Sequence, residues 1–104
     1  MITVSITYPN AEGATFDFDY YKSTHLPMIG RKLGMYGLAS AAVLQGKESI
    51  DGGEPPVVAA AFLTFQSEQR ARDAMASSGA RELVEDVKNF TNIVPVEQYS
   101  FPVP

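Results

Sequence analysis

The sequence predicts an α+β fold in which strand, helix, strand, strand, helices and strand follow one another. Three stretches carry that prediction. Ile2 to Tyr8 alternates apolar and hydroxyl side chains, Phe16 to Met28 holds helix-capping and helix-breaking residues, and Val57 to Phe65 is an almost unbroken apolar run. With 104 residues, 45% of them hydrophobic and 19% charged, the chain matches one globular domain spanning 1–104.

Ile2, Val4, Ile6 and Tyr8 set against Thr3, Ser5 and Thr7 read as a strand with one apolar and one hydroxylated face. Pro9, Asn10 and Gly13 end it. Asp17 is placed to cap a helix, with Phe16 and Tyr21 at hydrophobic-staple positions around it. Pro27 has no N–H and disfavours the α region at Leu26, which predicts a break or kink near Thr24 to Leu26 with His25 at the discontinuity. A second helical piece from Pro27 to Leu33 would stop at a left-handed Gly34.

Leu38 to Lys47 reads as a strand of small side chains, and Gly46 to Pro56 as a loop. Val57 to Phe65 lacks alternation, so both of its faces are expected to be covered. Ser67 would cap a helix running to about Ser78 with Gly79 as its stop, and Ala80, Leu83, Val84 and Val87 would form the buried stripe of another. Asn89 to Asn92 reads as a turn, and Ile93 to Phe101 as a last strand with Pro95 at an edge or bulge.

That order matches the ferredoxin-like βαββαβ arrangement, a four-stranded antiparallel sheet with helices on one face. Its other face would then carry the second apolar side of Val57 to Phe65. The simplest cover is a second copy, giving a homodimer through the sheet faces.

A net charge of −4, a pI near 4.8 and eight scattered Lys and Arg argue against nucleic acid as a partner. There is no cysteine, so disulfides and thiolate chemistry are excluded. The N-terminus has no signal-peptide pattern and no window reaches membrane-spanning length, so a cytoplasmic protein without membrane contact is expected. One histidine among scattered acids matches no metal-ligand spacing, and no nucleotide-binding or serine-hydrolase motif occurs. A site without metal or cofactor is the simplest expectation; haem held by His25 has no support in the sequence.

As the only histidine, His25 is the natural general acid or base, because imidazole exchanges protons near neutrality. The competing reading is a helix-end residue bonded to a backbone carbonyl. Tyr21 lies four residues earlier on the same helical face, within reach of His25 or a ligand. Tyr20 and Tyr21 point about 100° apart on a helix, so one of them should pack in the core. Asp17 and Asp19 read as cap and solvated acid. Ala59, Ala60 and Ala61, with Ala39, Ala41 and Ala42, free volume either for close helix packing or for a pocket. Such a pocket, lined at Ala60 and tipped by Tyr20, Tyr21, His25 and Tyr36, suits a small apolar organic ligand.

FDFDYYKSTHLPM (16–28) following TYPN (7–10), together with NFTNIVPVEQ (89–98), resembles the EthD family, named for ethyl tert-butyl ether degradation, and the likeness extends over nearly the whole chain. The resemblance implies a dimeric α/β barrel of ferredoxin-like subunits. The wider superfamily includes cofactor-independent monooxygenases, lactone isomerases, polyketide cyclases and decarboxylases, and haem-degrading enzymes. By position it carries over His25 with Tyr21, Asp17 and Pro27 as shape-setting residues, and Asn89 and Thr91 in a turn. The expected function is a cofactor-independent enzyme, acting by oxygenation, isomerisation or decarboxylation on a small apolar or aromatic compound in a catabolic or secondary-metabolite pathway. The alternative is a non-catalytic accessory or carrier protein that binds a metabolite or an oxygenase partner.

Overall fold

The computed structural model describes residues 1–104. Strands β1 (Ile2–Pro9), β2 (Leu38–Gln45), β3 (Val57–Phe65) and β4 (Val96–Ser100) pair antiparallel in the order β2-β3-β1-β4. This is the ferredoxin-like arrangement the sequence predicts. Directly paired residues share one side of a sheet. Val4 opposite Leu63 and Ile6 opposite Ala61 therefore share the helix-covered side, as do Tyr99 opposite Val4 and Glu97 opposite Ile6.

The helix layer consists of α1 (Phe18–Tyr20), a π turn (Tyr21–His25), α2 (Leu26–Leu33), α3 (Glu68–Met75) and α4 (Ser78–Asp86). Ile2, Val4, Leu63 and Phe65 are buried against Ile29, Leu33, Ala71, Ala74, Ala80 and Leu83 in the larger core. Tyr8, Tyr21, Ala59, Phe90 and Ile93 make a second core nearer the start of α1. No helix is long and apolar enough to cross a membrane.

The helix does not break before Pro27, but it is irregular there, with His25 at the end of a π turn. Helical backbone continues through His25 and Leu26, and the chain instead widens, so that the Leu26 N–H donates to the Tyr21 carbonyl five residues back. In an α-helix the Pro27 ring would collide with the carbonyl four residues earlier, which also has no N–H to accept; the wider turn relieves both problems. The helix also does not stop at Gly34, whose φ of −57° is right-handed. It tightens into a 3-10 turn over Gly34–Tyr36, and the left-handed residue is Gly37 at φ 78°.

Gly79 is not a stop either. Ser77 caps α4 by accepting from the Ala80 N–H, and Gly79 lies inside that helix. A Cβ there would sit 2.9 Å from Lys32 Cβ and 3.1 Å from the Lys32 carbonyl oxygen, so the missing side chain is what lets α4 approach α2. Val84, expected on the buried stripe, is exposed, and Asp86 is buried in that layer instead. The last strand begins at Val96 rather than Ile93.

The helices cover β1 and β3 but not the edge strands: every residue of β2 after Leu38 is exposed, as are Val96 to Tyr99 of β4. Ala39, Ala41 and Ala42 therefore do not line a pocket under the helices. On the uncovered side, Ala60 and Phe62 of β3 face Leu44 and Ala42 of β2, while β1 contributes Thr3, Ser5 and Thr7. That face is apolar at Ala42, Leu44, Ala60 and Phe62 and hydroxylated at Ser40 of β2, Thr64 of β3 and over β1, with the Thr3 and Thr64 hydroxyls 3.1 Å apart.

Candidate functional site

Asp17 caps α1 as its position predicts, its carboxylate accepting from the Tyr20 N–H at 3.1 Å. The staple partners Phe16 and Tyr21 stack edge to face with ring centroids 5.0 Å apart. The backbone N–H of Asp17 donates to the Phe90 carbonyl, tying the start of this helix to the end of the last one. The π turn then presents Tyr21 and His25 to the interior, and both are buried.

His25 Nδ1 lies 2.9 Å from Asp86 Oδ2. The other oxygen, Oδ1, accepts from the Tyr20 hydroxyl at 2.7 Å and from Asn89 Nδ2 at 3.0 Å. Burial works against the charge on Asp86, but the hydrogen bonds from Tyr20, Asn89 and His25 outweigh it and hold the carboxyl below the ordinary aspartate value. The same bond raises the Tyr20 phenol above its usual value. An ionised carboxylate only accepts, so His25 Nδ1 must carry the hydrogen, which leaves Nε2 with a free lone pair in the neutral ring. Tyr21 and Phe90 flank the imidazole at centroid distances of 5.6 and 4.6 Å, the Tyr21 ring within 16° of parallel.

A carboxyl held low in the folded state stabilises the fold above the ordinary aspartate range, and that contribution is lost as pH falls through its folded value. Glu97, raised by burial, has the opposite sign: its contribution is present at low pH and lost as pH rises through its folded value. The informative comparison is therefore between the wild type and Asp86→Asn. Their difference in Tm should shrink as pH is lowered into the acid range; a constant difference would contradict the Asp86 assignment.

A cavity of about 30 Å³ lies beside the imidazole, with Ile6, Tyr8, Leu63, Val87 and Glu97 among its walls. That is about one water's share of the liquid. Two surface grooves adjoin it. One, of about 420 Å³, runs between α4 and β4 past Met75, Ala80 and Tyr99, and the other, of about 450 Å³, passes Lys88, Ile93 and Pro95. Val84 and Glu97 border both grooves and the inner cavity. Burial pushes the Tyr21 phenol up to about 12. It raises Tyr8 further, with Tyr21 and Glu97 adding to the effect.

The structure brings together His25, Tyr21 and Tyr20, but exchanges the roles expected of the tyrosines. Tyr21 offers its ring face to His25 rather than its hydroxyl, and it is Tyr20 whose hydroxyl joins the network. Ala60 faces the uncovered side of the sheet, away from His25, because its neighbours Ala59 and Ala61 are the buried ones. Tyr36 packs against the larger core at the far end of α2. Neither belongs to the site.

Asp86, Asn89, Phe90 and Glu97 are the residues that sequence reasoning missed. A signal for Asp86 existed: it falls three residues after Leu83 and seven after Gly79, an acid on the side of an amphipathic helix that packs inward. His25 and Asp86 supply two donor side chains, and no group of three or more His, Cys, Asp or Glu residues converges as a metal site.

No family model matches the chain. An EthD-like protein of Ralstonia eutropha JMP134, known from a crystal structure, is 38% identical and superposes with a TM-score of 0.84, over 95% of this chain and 88% of that one. An uncharacterised 11.0 kDa protein from the thcB–thcC intergenic region of Rhodococcus erythropolis is 32% identical over 93 residues, 88% of this chain and 85% of its own length. SnoaB of Streptomyces nogalater, a cofactor-independent oxygenase, is 9% identical with a TM-score of 0.64 over 99% of this chain and 93% of its own, a likeness of fold alone. With an EthD-like relative this similar along nearly its full length, the chain belongs to the EthD family.

Proposed function

We propose that this protein is a cofactor-independent enzyme that removes a proton from a small apolar or aromatic organic compound. His25 Nε2 is the base and Asp86 the carboxylate that orients it. The observation that carries this reading is the His25–Asp86 bond, with the second carboxylate oxygen held by Tyr20 and Asn89. A histidine serving only as a helix cap has no need of a buried, hydrogen-bonded acid to fix its tautomer. The existence of a cofactor-independent oxygenase on this fold is in keeping with it.

The inner cavity is too small for an organic molecule, so substrate sits in the outer grooves and reaches the imidazole past Val84 and Glu97. Groove volumes of this order suit a small ligand. A carbanion that meets oxygen is oxygenated and one that regains a proton at another carbon is isomerised, whereas loss of CO2 in place of a proton forms the carbanion directly and His25 then returns a proton to it.

The test is exchange of C–H for C–D in D2O, followed by proton NMR on phenylacetone, cyclohexanone and phenylnitromethane. Wild type should exceed His25→Ala by roughly 10²–10⁴-fold on at least one probe. Equal rates on all of them would reduce the dyad to a structural feature.

The uncovered face, with Phe62, Ala60, Leu44 and Ala42 side by side, supports a homodimer through the sheets. Light scattering after size exclusion should give twice the 11.3 kDa chain mass. A monomer at micromolar concentration would contradict this.

A further inference from the structure

We infer that Glu97 is a second proton-handling group, opposite His25, and that the substrate of this site carries an enolisable carbonyl. The inference rests on the proposed base role of His25 and extends it.

Glu97 pairs with Ile6 across β1 and β4, so it projects from the sheet on the helix-covered side. It lines the same one-water cavity as His25, which comes from the helix layer above. Tyr8, two residues beyond Ile6 on the same side of β1, lines that cavity as well, and its phenol feels the charge of Glu97. The other walls, apart from these three side chains, are apolar. Glu97 has no hydrogen-bond or ion-pair partner of its own, unlike Asp86, which has three. Glu97 is exposed at the mouth of the cavity, and partial loss of water around its carboxyl raises it above the ordinary glutamate value. Its place on the border of both grooves puts it beside anything that approaches the imidazole.

A molecule served by a base on one wall and a proton donor on the other has a C–H next to a C=O. The C–H proton passes to His25 Nε2, and its electron pair becomes a C=C bond. The carbonyl π electrons move onto oxygen, which takes the proton of the Glu97 carboxyl. The product is the enol, an isomer of the substrate, so nothing is oxidised or reduced. His25 then loses its extra proton to solvent and Glu97 regains one from it.

The test compares two probes on wild type, Glu97→Gln and His25→Ala. Phenylacetone needs both base and proton donor, because its enolate is a poor leaving state without protonation of oxygen. Phenylnitromethane needs the base alone, since its nitronate is stable near neutrality. Glu97→Gln should lose about 100-fold in phenylacetone C–H exchange and keep its rate of phenylnitromethane ionisation, with no fall in Tm. Unchanged exchange of phenylacetone in Glu97→Gln would overturn the inference and leave the base reading standing, as would loss of both activities together or a wild type that ionises only the nitro compound. A His25→Ala variant as fast as wild type on both probes would remove the base reading itself, and with it this inference.

Discussion

Asp86→Asn should silence the site without unfolding it, with a loss of about 10⁴-fold in proton abstraction, the scale seen when the orienting carboxylate of a histidine base is made an amide. The geometry dictates how. Tyr20 and Asn89 both donate to Oδ1, so the single oxygen of the new amide must occupy that position. The amide NH2 then faces His25 Nδ1, which has to accept rather than donate. The ring hydrogen moves to Nε2 and the lone pair that served as base is gone. Nitrogen-15 NMR of the ring reads this directly: hydrogen on Nδ1 in the wild type and on Nε2 in the variant. A tautomer unchanged by the substitution would contradict the arrangement even before any substrate is known.

Phe90→Ala should be the most damaging single truncation. The ring is buried and meets Tyr8, Phe16, Tyr20, Tyr21 and His25, with centroids between 4.6 and 6.2 Å away. Removing a buried Phe side chain costs about 3–5 kcal/mol, a large share of the roughly 5–15 kcal/mol that holds a domain folded. Tm should fall by at least about 12 °C at the usual conversion for a chain of this length. The same variant frees the imidazole from one of its two flanking rings, so any residual activity should fall further than stability alone explains. A Tm within a few degrees of wild type would show that the second core is held by other contacts.

Much of the fold was legible because its signals are local. Alternation from Ile2 to Tyr8, the cap at Asp17 and its Phe16–Tyr21 staple, and the apolar run that forms β3 each lie within a few residues and match the structure. What failed was decided by packing between distant segments. Gly79 looks like a stop, yet it is a helix residue chosen for the closeness of Lys32, 47 positions earlier in the chain. Phe90 reads as part of a polar turn because its neighbours are Asn89, Thr91 and Asn92, and only the folded chain places it at the centre of the second core. The site divides the same way. His25 and its tyrosines sit together in one motif, whereas Asp86 is 61 residues away and joins them only when the last helix folds back. The alanines of β2 misled because composition cannot say how far a helix layer extends over a sheet edge.

The π turn has a consequence for anyone counting residues across this helix. A wider turn is one residue longer than its α-helical equivalent, and each residue of α-helix advances the side chains by about 100°. Tyr20 and Tyr21 are therefore out of phase with Ile29 and Leu33 by that angle, relative to an uninterrupted helix from Phe18 to Leu33. Comparing this chain with a relative that lacks the extra residue requires a one-residue gap between Tyr21 and His25; without it, the residue aligned with Tyr20 would face the wrong way to touch the acid of the dyad.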